Sequence, residues 1–245
     1  MTWVKICGMT NLEDALVAVD AGADAVGFVF YEKSPRYVTV EQAREMVEKL
    51  PKEVEKIGVF VDPEMDPIGV LVEAGLTGAQ SYFSAEGLAG CHASSKAIEM
   101  ESLPPRARFL VALPMSLFGE DVDKIERMAA DFAASRKKIP EGVSFPDGFL
   151  DTFLLDSGNL RQPGGTGESF DWAKARGLSD AIRNDGLRLV VAGGLTPENV
   201  GEAIKTLKPW GVDVSSGVEA QPGKKDPEKV RAFVRAVREM DRKAG

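Results

Sequence analysis

The fold of this chain is decided by residues 188–217, which read RLVVAGGLTPENVGEAIKTLKPWGVDVSSG. Arg188–Ala192 and Val212–Ser215 are short apolar runs of the kind that forms buried strands. Between them, Pro197–Leu207 has the helical spacing of apolar residues, and Thr196 before Pro197 indicates an N-cap with proline at the first helical position. Strand, helix and strand in this order predict a βαβ unit with two parallel strands.

The same alternation extends along the rest of the chain. Six further runs read as strands: Trp3–Cys7, Ala25–Phe30, Lys56–Val61, Gly78–Phe83, Arg108–Leu113 and Thr152–Asp156. Eight strands alternating with helices over 245 residues predict a single (β/α)8 TIM barrel, with residues 1–245 as one domain. A doubly wound open sheet is the alternative. It fits less well because the first strand-to-helix turn lacks a G-x-G-x-x-G fingerprint.

Helical patterns fill most of the gaps, and two segments interrupt the regular spacing. The other amphipathic stretches are Leu12–Ala21, Val40–Leu50, Pro67–Ala74 and Pro227–Met240. Ser84–Pro105 should carry the helix after strand four, but its glycines and serines break the helical periodicity. Ser116–Gly148 is long for one crossover and contains a helical pattern at Val122–Lys138. We expect this second segment to be a surface insertion between strands five and six.

Composition and charge exclude several classes of protein. A net charge of -8 argues against a nucleic-acid partner and against an anionic membrane surface. No apolar run approaches the roughly 20 residues that a membrane-spanning helix needs. The N-terminus shows no export signal, and two cysteines give neither a disulfide framework nor a metal-ligand spacing. We expect a cytoplasmic protein, and the sequence leaves open whether it is a monomer or a homodimer.

Two strand ends carry candidates for proton transfer. In a (β/α)8 barrel the active site lies at the C-terminal ends of the strands, where Cys7 ends the first strand and Asp156 the sixth. Because the chain has a single histidine, a thiol and carboxylates are the main candidates for this chemistry. A lone cysteine is more often a small buried hydrophobe than a catalyst. Asp156 follows an apolar run, and partial desolvation there suits a general acid.

Charged residues near two other strand ends are candidates for ligand binding. Arg36 follows strand two and has the planar fork that clamps a carboxylate in a bidentate fashion, although most arginines are simply solvated. Asp213 lies within an otherwise apolar strand, where an unpaired carboxylate is costly. Asp213 therefore either pairs with a neighbour or faces a ligand, and we favour the ligand.

The last two strand ends have a pattern typical of a phosphate site. Strand seven ends in Gly193-Gly194 and strand eight is followed by Ser216-Gly217. Phosphate sites in these barrels commonly come from the loops after strands seven and eight, where glycines let the backbone approach the anion closely. The alternative is that these glycines only allow tight turns after the strands and bind nothing. Two such ends on consecutive strands favour phosphate binding at Gly194, Ser216 and Gly217.

Several motifs occur together in an order typical of one family. They are Lys5–Thr10, Gly27–Phe30 with Ser34–Tyr37, Gly58–Val61, Leu154–Ser157 with Gly164–Trp172, Ala192–Val200 and Val212–Glu219. In this combination the chain resembles the phosphoribosylanthranilate isomerases of tryptophan biosynthesis. The resemblance spans nearly the whole chain. It implies an Amadori rearrangement of N-(5'-phosphoribosyl)anthranilate, a phosphorylated aminosugar, to 1-(2-carboxyphenylamino)-1-deoxyribulose 5-phosphate.

The resemblance also implies roles for the residues at the strand ends. Asp156 would be the general acid that protonates the ring oxygen, and Cys7 the general base that removes the C2' proton. A cysteine acts as a base only as its thiolate, and strand alternation places Lys5 on the same side as Cys7. Arg36 would hold the anthranilate carboxylate and Asp213 would line the pocket. This proton chemistry requires no cofactor and no metal.

The backbone at the last two strand ends would hold the 5'-phosphate in this family. The residues implied are Gly194, Ser216 and Gly217. One departure from the family lies elsewhere: after strand four the family usually reads Gln-Leu-His-Gly, whereas this chain has Gln80-Ser81-Tyr82-Phe83. Because neither Tyr82 nor Phe83 is the implied acid or base, we expect the chemistry to survive and the pocket wall beside the anthranilate ring to change.

Two other functions remain as alternatives. The related isomerase of histidine biosynthesis acts on a similar substrate but usually employs a carboxylate at the end of strand one, so Cys7 argues against it. A non-catalytic phosphosugar-binding barrel is supported only by the altered end of strand four. The presence of both the implied base, Cys7, and the implied acid, Asp156, argues against a purely binding role.

Overall fold

The computed structural model describes residues 1–62, 65–82, 104, 107–115, 151–157 and 170–244, which contain a closed barrel of eight parallel strands. The strands are β1 (Trp3–Cys7), β2 (Ala25–Val29), β3 (Glu55–Phe60), β4 (Gly78–Tyr82), β5 (Arg108–Pro114), β6 (Thr152–Asp156), β7 (Arg188–Val191) and β8 (Gly211–Val214). β8 pairs with β1, and Lys5 lies opposite Asp213. The predicted barrel is confirmed. The open-sheet alternative is wrong. An open sheet would leave two edge strands unpaired, whereas here β1 and β8 pair with each other and close the barrel.

Six α-helices lie in the described part of the chain. They are α1 (Leu12–Asp20), α2 (Val40–Val47), α3 (Pro67–Ala74), α4 (Arg176–Asn184), α5 (Val200–Leu207) and α6 (Pro227–Ala244). The helix predicted from Pro197 begins at Val200 instead, because the Glu198 N–H donates to the Thr196 hydroxyl in a turn that precedes it. Sequence patterns did not predict α4, which buries Leu178 and Ile182. Within these residues no helix has the length and hydropathy to cross a membrane.

A short hairpin follows the last barrel strand and was not predicted. A 3₁₀ turn at Ser216–Val218 leads into β9 (Glu219–Gln221), which pairs antiparallel with β10 (Lys224–Lys225). The hairpin places Glu219 and Lys225, both buried, beside the C-terminal end of the barrel.

Four predicted features lie outside the described residues. They are the Ser116–Gly148 insertion, its helix at Val122–Lys138, the glycine-rich Gly164–Gly167, and the Ser84–Pro105 segment apart from Pro104.

Buried apolar side chains inside the barrel form two layers. Trp3, Ala25, Ile57, Leu110 and Leu154 belong to the lower layer, nearer the N-terminal strand ends. Cys7, Val29 and Val59 form the upper layer, against which Tyr82 packs. Alternate residues on the same strands point outward and pack against the helices. This alternation brings Cys7 to the top of the barrel interior.

Candidate active site

A pocket opens at the C-terminal end of the barrel, where the active sites of this fold lie. Its lining includes all seven residues singled out from the sequence: Cys7, Arg36, Asp156, Gly194, Asp213, Ser216 and Gly217. Residues from β2, β3 and β4, including Val29, Val59 and Tyr82, complete the wall. The structure therefore brings together side chains that are up to 210 positions apart in the chain.

Cys7 lies beside a fully buried lysine. Lys5 Nζ donates a hydrogen bond of 2.7 Å to Gln80 Oε1 and lies 3.2 Å from Asp213 Oδ1, and the Lys5 side chain and the Cys7 sulfur both lie against Gly27. Gly27 on β2 makes room for this arrangement, since a Cβ atom there would lie 2.7 Å from Cys7 Sγ. Asp213 thus both pairs with a neighbour and faces the pocket, the two outcomes that the sequence left open.

The charges around Cys7 oppose one another. Burial raises the pKa of the Cys7 thiol above its ordinary value, and the Lys5 ammonium acts against that rise. Burial would lower the pKa of Lys5, but the Asp213 carboxylate and Cys7 outweigh burial and raise it. Lys5 therefore stays a cation at neutral pH. A cation held beside a buried thiol stabilises the thiolate, the form in which a cysteine accepts a proton.

Removing the Lys5 charge is expected to make Cys7 harder to ionise. In a Cys91→Ser background, Lys5→Gln should move the pH midpoint of thiolate formation upward by about 1 unit or more. The midpoint is measured from absorbance at 240 nm and from the pH dependence of alkylation by iodoacetamide. The exposed Lys205 provides the control, since Lys205→Gln removes a cation outside the pocket.

A folding defect must be separated from this electrostatic effect. Lys5→Gln leaves the buried Asp213 without its cation, which is destabilising. The double substitution of Lys5→Gln with Asp213→Asn removes both charges. The pH midpoint of Cys7 ionisation in this variant is compared with that in Asp213→Asn alone. If Lys5→Gln leaves the midpoint unchanged both in the wild-type protein and in the Asp213→Asn protein, Lys5 has no influence on the thiol.

Asp156 ends β6 inside the same pocket and is 4 % exposed. The Tyr82 hydroxyl donates a hydrogen bond of 2.7 Å to Asp156 Oδ2. No sequence pattern predicts this contact, and the expectation for Tyr82 is only a change in the pocket wall. The residue that departs from the family pattern therefore touches the predicted acid directly.

Arg36 belongs to a buried charge cluster with Glu219 and Lys225. Its Nε and Nη2 atoms donate to the two carboxylate oxygens of Glu219 at 2.8 and 2.7 Å, and Lys225 Nζ donates to Glu219 Oε1 at 2.9 Å. Burial would raise the pKa of Glu219, but hydrogen bonds from Arg36 and Lys225 hold it below its ordinary value. Burial lowers the pKa of Lys225 and the Glu219 carboxylate opposes that effect, so the cation of this cluster that lines the pocket is the Arg36 guanidinium.

The loops after β7 and β8 meet closely at the pocket rim. A Cβ atom at Gly217 would overlap the carbonyl oxygen of Leu195, so only glycine allows this approach. Gly194 has a φ of 62°, a conformation that favours glycine, and Asn199 Nδ2 donates to its carbonyl oxygen at 2.9 Å. Among the described residues no acceptor is found for the Gly194 N–H, so this donor can serve a ligand.

Sequence reasoning missed the residues that hold the predicted ones in place. Glu219 and Lys225 lie in the unpredicted hairpin, and Tyr82 acts across the barrel. A signal existed for Glu219, which belongs to the Val212–Glu219 motif and follows the glycine at the end of β8. No local pattern marks Lys225, whose partner depends on how the hairpin folds back.

These observations define a class of protein: a (β/α)8 barrel whose polar and charged groups converge at the C-terminal strand ends, as in the enzymes with this fold. The sequence model of one family, described as N-(5'phosphoribosyl)anthranilate (PRA) isomerase, matches residues 4–75 and 116–236. The chain belongs to this family. The family predicted from the motifs, and with it the class of isomerases, is confirmed.

Individual relatives agree with this assignment over nearly the full length. The chain is 39% identical over 241 residues to an N-(5'-phosphoribosyl)anthranilate isomerase of Geobacter sp. (strain M21), covering 98% of this chain and 100% of the relative. It is 36% identical to the crystal structure of phosphoribosyl anthranilate isomerase from Thermotoga maritima, with a TM-score of 0.70 and coverage of 98% and 100%.

A further solved structure of such an isomerase contains a ligand. It holds reduced 1-(o-carboxyphenylamino)-1-deoxyribulose 5-phosphate, and it matches with 36% identity, a TM-score of 0.67 and coverage of 98% of this chain and 100% of that chain.

Proposed function

We propose that this chain isomerises N-(5'-phosphoribosyl)anthranilate with Asp156 as general acid and Cys7 as general base. Membership of the family confirms the predicted function, that of a phosphoribosylanthranilate isomerase in tryptophan biosynthesis. The assignment of individual residues is the part that we propose. The observation that carries it is that Asp156, Cys7 and the predicted ligand-binding residues line one pocket.

The proposed reaction moves protons without a net change in composition. Asp156 donates a proton to the ring oxygen while the aniline nitrogen forms a Schiff base with C1', which breaks the bond between C1' and the ring oxygen. The Cys7 thiolate then removes the proton from C2', and the electron pair forms a C1'–C2' double bond. The resulting enolamine takes a proton at C1' as its 2'-hydroxyl becomes the ketone of the product.

The positions of the two groups support these roles. Cys7 and Asp156 lie at the ends of β1 and β6, which are separated around the barrel by β7 and β8, and both side chains line the pocket. A sugar bound between them would expose its ring oxygen to one group and its C2' proton to the other. Both are largely excluded from water, which strengthens the electrostatic effects of neighbouring groups.

The charge cluster supports a carboxylate-binding role for Arg36. Glu219 uses Nε and Nη2, which fixes the plane of the guanidinium and leaves the Nη1 edge for another anion. The delocalised positive charge of the Arg36 guanidinium favours an anion at that edge. The anthranilate carboxylate is the group of the proposed substrate that fits it.

The rim of the pocket supports binding of the phosphate. The loops after β7 and β8 present backbone N–H groups at Gly194 and Gly217 and the hydroxyl of Ser216, and all three residues line the pocket. Asp213 also lines the pocket, with its Oδ1 atom 3.2 Å from the Lys5 ammonium. We assign its carboxylate to a hydroxyl group of the bound sugar.

Removal of the Arg36 guanidinium is expected to weaken substrate binding. Arg36→Met should raise KM by about 10- to 100-fold, because a charged hydrogen-bonded pair with the substrate is lost. kcat should fall much less, since Arg36 contacts neither the ring oxygen nor C2'. Arg231→Met, on the exposed face of α6, is the matched control. A KM equal to that of the wild type would contradict the carboxylate-binding role.

The function itself is tested by turnover of purified protein. Phosphoribosylanthranilate is fluorescent, and its fluorescence should be lost in proportion to enzyme concentration while the ketose product accumulates and is identified by mass spectrometry. The histidine-pathway substrate is run in parallel. No turnover of phosphoribosylanthranilate, with the protein folded by circular dichroism, would overturn the proposed function.

Three broader expectations accompany this function as proposals. Residues 1–245 form one domain, and the pairing of β1 with β8 supports this because the two ends of the chain close one barrel. The protein works in the cytoplasm, where a free thiol such as Cys7 stays reduced. It is a monomer or a homodimer that binds no nucleic acid, which light scattering and a DNA-binding titration test.

A further inference from the structure

Tyr82 links the ends of two strands that are not neighbours. It ends β4, its hydroxyl donates to Asp156 at the end of β6, and β5 lies between the two strands. We propose that Tyr82 is a positioning residue that orients the carboxyl group of Asp156 for proton transfer. This inference deepens the proposed function and rests on Asp156 being the general acid.

The packing of the Tyr82 ring fixes where its hydroxyl points. The ring contacts the upper interior layer formed by Cys7, Val29 and Val59, and it also packs against the lower layer. Its backbone is held in β4, with Tyr82 in register with Ala112 of β5. A ring restrained on these sides has few rotamers available. The 2.7 Å hydrogen bond to Asp156 Oδ2 is therefore set by the barrel and not by the mobility of an exposed side chain.

The phenol is a donor whose charge does not change at working pH. Burial and the Asp156 carboxylate raise the pKa of the Tyr82 hydroxyl well above its ordinary value of 10.0. A neutral hydroxyl donates to the carboxyl oxygen of a protonated and of an ionised acid alike. It can therefore hold Asp156 before and after the proton has moved. An imidazole at this position would instead change its charge between pH 5 and 8.

A role as pocket wall predicts a different kinetic result. Tyr82 also lines the pocket, and the sequence predicts that it alters the fit of the anthranilate ring. Loss of a wall contact changes binding in the ground state and the transition state equally, so KM rises with kcat unchanged. Loss of a positioning contact lowers kcat and leaves KM nearly unchanged, because the substrate still binds but the acid is misplaced.

The first test removes only the hydroxyl. Tyr82→Phe is expected to lower kcat by about 10- to 100-fold, the size expected for one hydrogen bond to a charged group, with KM within about twofold of wild type. Tyr37→Phe removes a phenol hydroxyl outside the pocket and serves as the control. An unchanged kcat, or a rise in KM alone, would overturn the positioning role. Circular dichroism and thermal unfolding establish that each variant is folded.

A double-mutant cycle tests whether Tyr82 acts through Asp156. In an Asp156→Asn background, the residual rate should not fall further when Tyr82→Phe is added. Equal losses in both backgrounds would mean that Tyr82 acts independently of the acid, against the proposal.

Failure of the proposed function can be distinguished from failure of this inference. If wild type shows no turnover, the proposed function fails and this inference fails with it. If wild type turns over and Tyr82→Phe is fully active, only the role of Tyr82 fails.

The conservative variant introduces the residue that the family usually has. Tyr82→His should restore most of kcat at pH 8, where a neutral imidazole can donate one hydrogen bond. Below about pH 6.5 the imidazolium favours an ionised Asp156, which has no proton to give, so kcat/KM should fall through a step that wild type lacks. A pH profile of the same shape as wild type would show that the group at this position does not act on Asp156.

Discussion

Asp156→Asn is expected to lower kcat for phosphoribosylanthranilate by about 100- to 10,000-fold, the usual contribution of a general acid. Asparagine has the same shape and can still accept the hydrogen bond from Tyr82, but its amide cannot deliver a proton to the ring oxygen. KM should change little because the groups assigned to the carboxylate and the phosphate are untouched. The measurement is steady-state loss of substrate fluorescence at saturating substrate.

The other end of the same strand region provides a matched control for this change. Asp151 directly precedes β6, is 8 % exposed, and lies within ion-pair distance of Arg188 at 3.4 Å. Asp151→Asn makes the same chemical change in a buried carboxylate outside the pocket. It should retain near-wild-type kcat at temperatures below its unfolding transition. If Asp156→Asn is as active as Asp151→Asn, another group supplies the proton.

Cys7→Ser is expected to cost a similar factor, about 100- to 10,000-fold in kcat. A serine hydroxyl is nearly isosteric with the thiol but does not ionise near neutral pH, so it is a far poorer base. Cys91→Ser, which changes the second cysteine of the chain, is the control and should keep full activity. Mass spectrometry after alkylation confirms which thiol remains in each variant.

The pH dependence of the wild type adds a second check on Cys7. A general base works in its deprotonated form, and burial raises the pKa of Cys7 above its ordinary value of 9.0. The thiolate fraction is therefore small at pH 7 and increases about tenfold per pH unit below that pKa. kcat/KM should rise with pH over this range if the other groups keep their protonation states. A profile that falls steadily from pH 7 to pH 9 would exclude a thiolate base.

The barrel strands could be predicted because they are buried on both faces. Such strands read as continuous apolar runs, and β1 and β6 have the predicted ends while the other six differ by one residue at one or both ends. Their C-terminal ends then identify the pocket, since the fold places all eight ends on one side. Cys7, Asp156 and Asp213 could be selected for this reason without knowledge of their contacts.

Contacts between distant strands could not be predicted, because they depend on strand tilt and on side-chain direction. Tyr82 meets Asp156 across an intervening strand, and no periodicity in the sequence encodes that distance. The hairpin carrying Glu219 and Lys225 is only a few residues long, too short for a strand pattern.

Two helices differ from the prediction. α4 was missed because Gly177 and the preceding loop obscure its start. The prediction for α5 begins three residues too early, because Thr196 and Pro197 belong to a turn that precedes the helix.

The pairing of β1 with β8 has a consequence for how the protein becomes active. Lys5 comes from the first strand and Asp213 from the last, and their charges balance only when the two strands are side by side. Until that moment the chain carries an uncompensated ammonium group in what will be the barrel interior, and the thiol beside it lacks its final surroundings. The recovery of catalytic turnover during refolding therefore reports the joining of the two ends of the polypeptide, and a chain shortened before β8 has no means of completing the environment of Cys7.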